Sequence, residues 1–155
     1  MKSLLSFAMP ALMSFTFAIC CTAQVLGAAQ KGSSEDSTKI ALTIGNKIIP
    51  AILYNNSPAK DFMARLPVTV FLNRGPIDYC GGIDPLNYGE DNVQTGYHNG
   101  DLAYWIPGQD FVIFIEKEET SSKVSDLVII GKITSDIREV RSLGSTIKVN
   151  ITLDR

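Results

Sequence analysis

From Lys39 onward the chain is a succession of short apolar runs broken by Gly, Pro and Asn, and the spacing turns helical in only one or two places. Lys39 to Ile44 alternates with period two, Gly45-Asn46 supplies a two-residue turn, and Lys47 to Tyr54 continues extended, which reads as a hairpin. Pro50 lies inside its second strand and cannot donate to a ladder, so its N–H side is expected at an edge or a bulge. Ser57 as N-cap with Pro58 at the first helical position then opens a helix to about Leu66, where Pro67 ends it. Ala59, Phe62, Met63 and Leu66 form one apolar stripe on that helix, suited to covering an open end of a barrel.

Val68 to Leu72 reads as a strand, Asn73-Arg74-Gly75-Pro76 as a turn, and a short extended piece reaches Tyr79. Gly81 to Asn99 lacks periodicity and forms the longest expected loop. Gly100 to Ile115 is a second hairpin around Pro107-Gly108, holding the lone tryptophan, Trp105. All five residues from Phe111 to Ile115 are apolar, so both faces of that strand must be covered. Leu102 and Tyr104 share one face of its partner, Ala103 and Trp105 the other, so one of the two aromatics is expected to be buried. Charged and Ser-rich residues from Glu116 to Ser125 make a surface connection to another apolar strand, Leu127 to Ile133, with Gly131 as a bulge or point of close approach. A short helix from Ser135, its cap, to Leu143 precedes a last alternating strand, Ile147 to Leu153, with one wet face. Roughly seven or eight strands with one or two short helices favour a mainly β, closed antiparallel barrel over residues 39–155, since closure removes exposed edges.

The first residues are a different material. Lys2 is the sole charge before Lys31, and an almost uninterrupted apolar run from Leu4 to Cys21 ends in small residues. This predicts an export signal over residues 1–23, with cleavage after Ala23 or as late as Ala29, followed by a flexible linker to residue 38. A retained membrane anchor is the competing reading, disfavoured by the trailing small residues and the missing basic stop. Lipid anchoring at Cys20 or Cys21 is a further alternative, although neither cysteine follows the small residue that a lipoprotein signal places there. The expected location is periplasmic or secreted, with membrane contact only through such an anchor. A net charge of −2 without a basic stripe argues against nucleic acid. Cys80 stands alone in the mature region, has no disulfide partner there and suits a buried small hydrophobe.

Ser57-Pro58-Ala59-Lys60-Asp61-Phe62 through Leu66-Pro67, then Gly100 to Trp105 with Pro107-Gly108, Phe114, and Gly131-Lys132-Ile133-Thr134 together resemble the small bacterial cyclophilin-like fold proteins, in the same order and over about Ile40 to Leu153. The resemblance implies a cyclophilin-type barrel. It does not bring a dependable activity, because function belongs to sites and not folds. Cyclophilins that isomerise X-Pro bonds carry a Phe-His-Arg motif on the strand after the first helix. The corresponding stretch here is Phe71-Leu72-Asn73-Arg74, whose extra residue places Arg74 on the opposite face from Phe71.

Candidate chemistry is sparse. His98 beside Asp101 could form an acid/base pair, but no nucleophile or electrophile accompanies it, so a solvated loop is preferred. His98 with Cys80 is too small a set for zinc. Asp84, Asn87, Glu90, Asp91 and Asn92 fail the EF-hand spacing and read as a solvated loop. No metal and no cofactor is expected. Tyr88, Tyr97, His98 and Trp105 are the expected lining of a binding site where the long loop meets the Trp105 strand, for a small molecule or peptide. The reading is a non-catalytic binding domain. The alternative is a peptidyl-prolyl isomerase, with Arg74 as its catalytic residue.

Overall fold

The computed structural model describes residues 36–154. The expected export signal, with Cys20 and Cys21, and most of the expected linker lie outside the described residues. Among the described residues nine strands form one sheet: β1 (Thr38–Ile44), β2 (Lys47–Leu53), β3 (Val68–Arg74), β4 (Asp78–Gly82), β5 (Val93–Gln94), β6 (Asp101–Trp105), β7 (Asp110–Phe114), β8 (Leu127–Ile133) and β9 (Thr146–Leu153). Their order is β2-β1-β9-β3-β4-β7-β6-β8-β5, and β8 pairs back to β2, so all but β5 close a barrel of antiparallel neighbours. β5 adds to β8 through Val93↔Val128 and Gln94↔Leu127.

Alternation decides which side chains fill the barrel. Ile40, Leu42, Ile49, Leu72, Leu102, Phe111, Ile113, Val128, Val149 and Ile151 are among the buried residues of one core cluster. A second, smaller cluster of Tyr97, Ala103, Val112, Phe114 and Leu127 sits on the opposite parity, outside the wall made by β4, β7, β6 and β8. This explains why Phe111 to Ile115 is apolar throughout: alternate residues face the barrel and the outer cluster. Tyr104 is the buried aromatic of its pair and Trp105 is the exposed one, at 2% and 37%.

Closure depends on two close approaches. The β6–β8 register shifts between Leu102 and Ala103, leaving Ile130 as the extra residue of a bulge beside Gly131. A Cβ on Gly131 would stand 2.0 Å from the carbonyl oxygen of Ile52 on β2, so only glycine lets β8 swing across to that strand. Pro50 lies just ahead of the β2–β8 pairs that begin at Ala51↔Ile133.

The helix α1 (Ser57–Met63) packs Ala59 and Phe62 into one barrel end, with Phe62 stacked on Phe111 at 5.3 Å. Its cap is Asn56 rather than Ser57. Asn56 Oδ1 accepts from the Ala59 N–H at 2.9 Å, while its Nδ2 donates to the Ile129 carbonyl at 2.9 Å, a tie to β8 that a serine hydroxyl is too short to add. The short helix α2 (Ile137–Arg141) is likewise capped one residue from the expected place. Asp136, not Ser135, accepts the Arg138 N–H at 2.9 Å and also binds the Arg138 guanidinium. β3 continues through Arg74, which pairs with Tyr79 across what the Asn73–Pro76 composition suggested was only a turn, and β4 runs on to Gly82 because it pairs with β7 as far as Gly82↔Asp110. The expected long loop is correspondingly shorter and contains a 3-10 turn, Glu90–Asn92, and β5.

Candidate functional site

On the outer wall of β4, β6 and β7, the outward residues Cys80, Val112, Phe114 and Trp105 converge. Antiparallel registers set Cys80 opposite Val112, Asp78 opposite Phe114 and Trp105 opposite Asp110. With Ile77, Asp78, Val124 and Leu127 they line a recess of about 190 Å³. Its walls are apolar apart from the Asp78 carboxylate and the Cys80 thiol. Burial and the neighbouring Asp110 push the Asp78 carboxyl above the usual carboxylate range. Burial first, then Asp78 and Asp110, push the Cys80 thiol up. A raised thiol pKa is the opposite of what a nucleophile requires.

The four expected lining residues do not come together. Trp105 forms the lip of the recess, and the absent side chain of Gly108 makes room for its ring: a Cβ there would stand 2.7 Å from Trp105 Cε3. Tyr97 stands behind the recess, buried and stacked on Phe114, with its hydroxyl donating to the Glu116 carbonyl at 3.0 Å. Tyr88 lies at the α1 end of the barrel, tilted against Tyr104 with ring centroids 6.1 Å apart. His98 points into solvent with its side chain 81% exposed. Asp101 does face His98, but the contact to its imidazole Nδ1 is long, 3.7 Å, whereas the backbone N–H of His98 reaches the same carboxylate oxygen at 2.7 Å. Asp101 thus shapes a turn. Burial raises its pKa, opposed by that backbone bond.

Arg74 is elsewhere again. Its guanidinium donates to the Arg141 carbonyl at 2.5 Å and lies 5.6 Å from the centroid of the Tyr79 ring, at the barrel end near α2. Phe71 points outward from the same strand, 63% exposed, so the two sit on opposite faces as the alternation requires. The oxygen-rich stretch also has structural employment: Asp84 and Pro85 carbonyls accept from Arg65, and Asp61 accepts from the Asn87 N–H. Among the described residues no group of three or more His, Cys, Asp or Glu side chains is placed to hold a metal ion.

Sequence reasoning did not reach Asp78 and Cys80 as lining residues. The continuous apolarity of Phe111–Ile115 implied a covered outer face, yet only the strand pairing reveals that β4 supplies part of the cover.

A closed antiparallel barrel with a helix over one end is the architecture of a cyclophilin-like domain. The chain matches the Cyclophilin-like family over residues 42–152 and belongs to that family. Its fold is similar to that of a hypothetical protein from Archaeoglobus fulgidus determined in solution, with a TM-score of 0.61 and 19% identity, covering 77% of this chain and 96% of the other. No curated protein matches it.

Proposed function

We propose that this is a non-catalytic binding domain, working outside the cytoplasm after removal of its leader, whose outer-wall recess takes one apolar group of a small molecule or peptide. The observation that supports it is Trp105, a large aromatic left 37% exposed at the lip of an apolar recess rather than packed into the core. Size narrows the ligand. Pockets for whole drug-sized molecules occupy roughly 300–1,000 Å³, while a cavity of about 150 Å³ accepts a benzene-sized group. At about 190 Å³ the recess suits a single branched or aromatic group, with the remainder of the ligand lying across the surface.

The isomerase alternative rests on Arg74, whose guanidinium is engaged with the Arg141 carbonyl and is not among the residues lining the recess. A thermal-shift screen of small aromatic and branched aliphatic compounds tests the binding reading, since a ligand of the folded state alone raises stability. Compounds that stabilise the wild type and not Trp105→Ala support it. Accelerated isomerisation of a proline-containing peptide, abolished in Arg74→Ala, overturns it in favour of catalysis.

A further inference from the structure

The barrel wall has a second opening, between β3 and β4. These strands keep only two residue pairs, Asn73↔Cys80 and Arg74↔Tyr79, and still touch where a Cβ on Gly81 would meet the Phe71 carbonyl oxygen at 2.0 Å. Continued in the same register, the ladder would set Thr69 opposite Asp84. Instead the chain after Gly82 is drawn toward α1: Arg65 Nη1 donates to the Asp84 carbonyl at 2.8 Å, Arg65 Nη2 to the Pro85 carbonyl at 2.7 Å, and Asp61 accepts from the Asn87 N–H at 2.9 Å. The result is a cleft of about 610 Å³ with Val68, Thr69 and Val70 on one lip and Gly82, Ile83 and Gln109 on the other. Phe62 closes its floor.

The lip formed by β3 has a defined hydrogen-bonding face. The Arg74 N–H donates to the Ser145 carbonyl on the β9 side, so by alternation residues 68, 70 and 72 bond toward β9 while Thr69 turns its N–H and C=O toward the cleft. Val68 and Val70 point into the barrel, and Gly82 brings no side chain to the opposite lip. We infer that the cleft is a binding site for an extended peptide segment, which adds a strand to β3 through the Thr69 backbone and drops one apolar side chain between Val70, Ile83 and Phe62. An exposed strand edge is satisfied by another strand, whereas a compact small molecule lacks the spaced donor and acceptor that the edge presents. Strand alternation makes the flanking side chains of that peptide face solvent beside Thr69 and Gln109, so they are polar. This site is separate from the Trp105 recess and does not depend on it.

The test uses blocked pentapeptides, acetyl-Thr-Xaa-Thr-Xaa-Thr-amide with Xaa Val, Leu or Phe, added at up to millimolar concentration to the isotope-labelled domain and followed by amide chemical shifts. Shifts are expected at Thr69, Val70, Gly82 and Ile83. Methylating the peptide's backbone nitrogens should abolish them, because the side chains are retained and the donors are not. Ile83→Ala removes the apolar wall that alternation turns inward and leaves the Gly82↔Asp110 pair intact, so it should fold and weaken binding of the peptides. Thr69→Pro removes an N–H that β9 does not use and should weaken binding roughly tenfold, the loss expected for one hydrogen bond. No binding by any of the three peptides, equal binding of the methylated peptides, unchanged binding by a folded Ile83→Ala, or shifts gathered instead at Cys80 and Val112 would each overturn the inference. The last outcome would leave the Trp105 recess standing as the peptide site.

Discussion

The Tyr97 ring lies flat against Phe114, with centroids 3.7 Å apart and 6° between the planes. That contact ties the segment before Gly100 to the outer wall and forms the back of the recess through Phe114. Replacing Tyr97 by Ala should therefore cost about 3 kcal/mol, in the range for emptying a buried aromatic position. Tyr97→Phe should cost only about 1 kcal/mol, the net value of the hydroxyl's bond to the Glu116 carbonyl. Urea unfolding of the two variants beside the wild type measures both.

Gly131 carries the closure of the barrel. Because its Cβ would collide with backbone rather than with a flexible side chain, Gly131→Ala must push β2 and β8 apart. A loss of at least about 3 kcal/mol is expected, the upper end for overpacking. Chemical denaturation gives the number, and amide exchange should show faster opening at Ala51 to Leu53. A loss below 1 kcal/mol would mean that the strand gap absorbs a methyl group.

Acidity should stabilise this protein over part of its range. Burial holds the carboxyls of Asp78, Asp101 and Asp110 above their ordinary values. In the unfolded chain they return to about 3.9, so between that value and the raised folded ones the folded state binds more protons. Stability then rises as pH falls from neutral through the folded values, and this gain is complete below the unfolded value. Asp61 and Asp136 act in the opposite sense, with Asp136 held at about 2 by Arg138, but both are solvent-screened and their contribution fades only as pH falls below about 4. Calorimetry should find a higher Tm at pH 5 than at pH 7. Asp101→Asn keeps an acceptor for the His98 N–H, so it should raise Tm at pH 7 and shrink the difference.

Cys80 should react slowly with a small disulfide reagent near neutral pH. Asp78→Asn removes one of the charges that hold its thiol up, which increases the thiolate fraction. The pH–rate profile of the variant should therefore shift to lower pH, and an unshifted profile would mean that burial alone controls the thiol.

Much of the architecture could be read from alternation, because Ile40, Leu42, Val149 and Ile151 face one way while Lys39, Lys148 and Asn150 face the other. Local rules failed where a distant partner decides. Asn56 and Ser57 are equally good caps by type, and the choice falls to Asn56 through Ile129, far along the chain. Arg65 and Asp84 lie 19 residues apart, so no local pattern shows that the one donates to the carbonyl of the other. That one of Tyr104 and Trp105 is buried follows from their opposite parity, and the structure leaves Trp105 outside. Tyr88 and His98 were grouped with it by nearness in sequence, and the barrel carries the three to different places.

Trp105 is where the account is most exposed to test. Its fluorescence should respond as compounds identified by thermal shift are titrated in, and Trp105→Ala should abolish their binding while costing less than the roughly 3–5 kcal/mol of an emptied core position. Emission that is already blue, unquenchable and indifferent to every ligand, together with a Trp105→Ala protein that does not fold, would show that Trp105 is packing and that the recess is not a binding site.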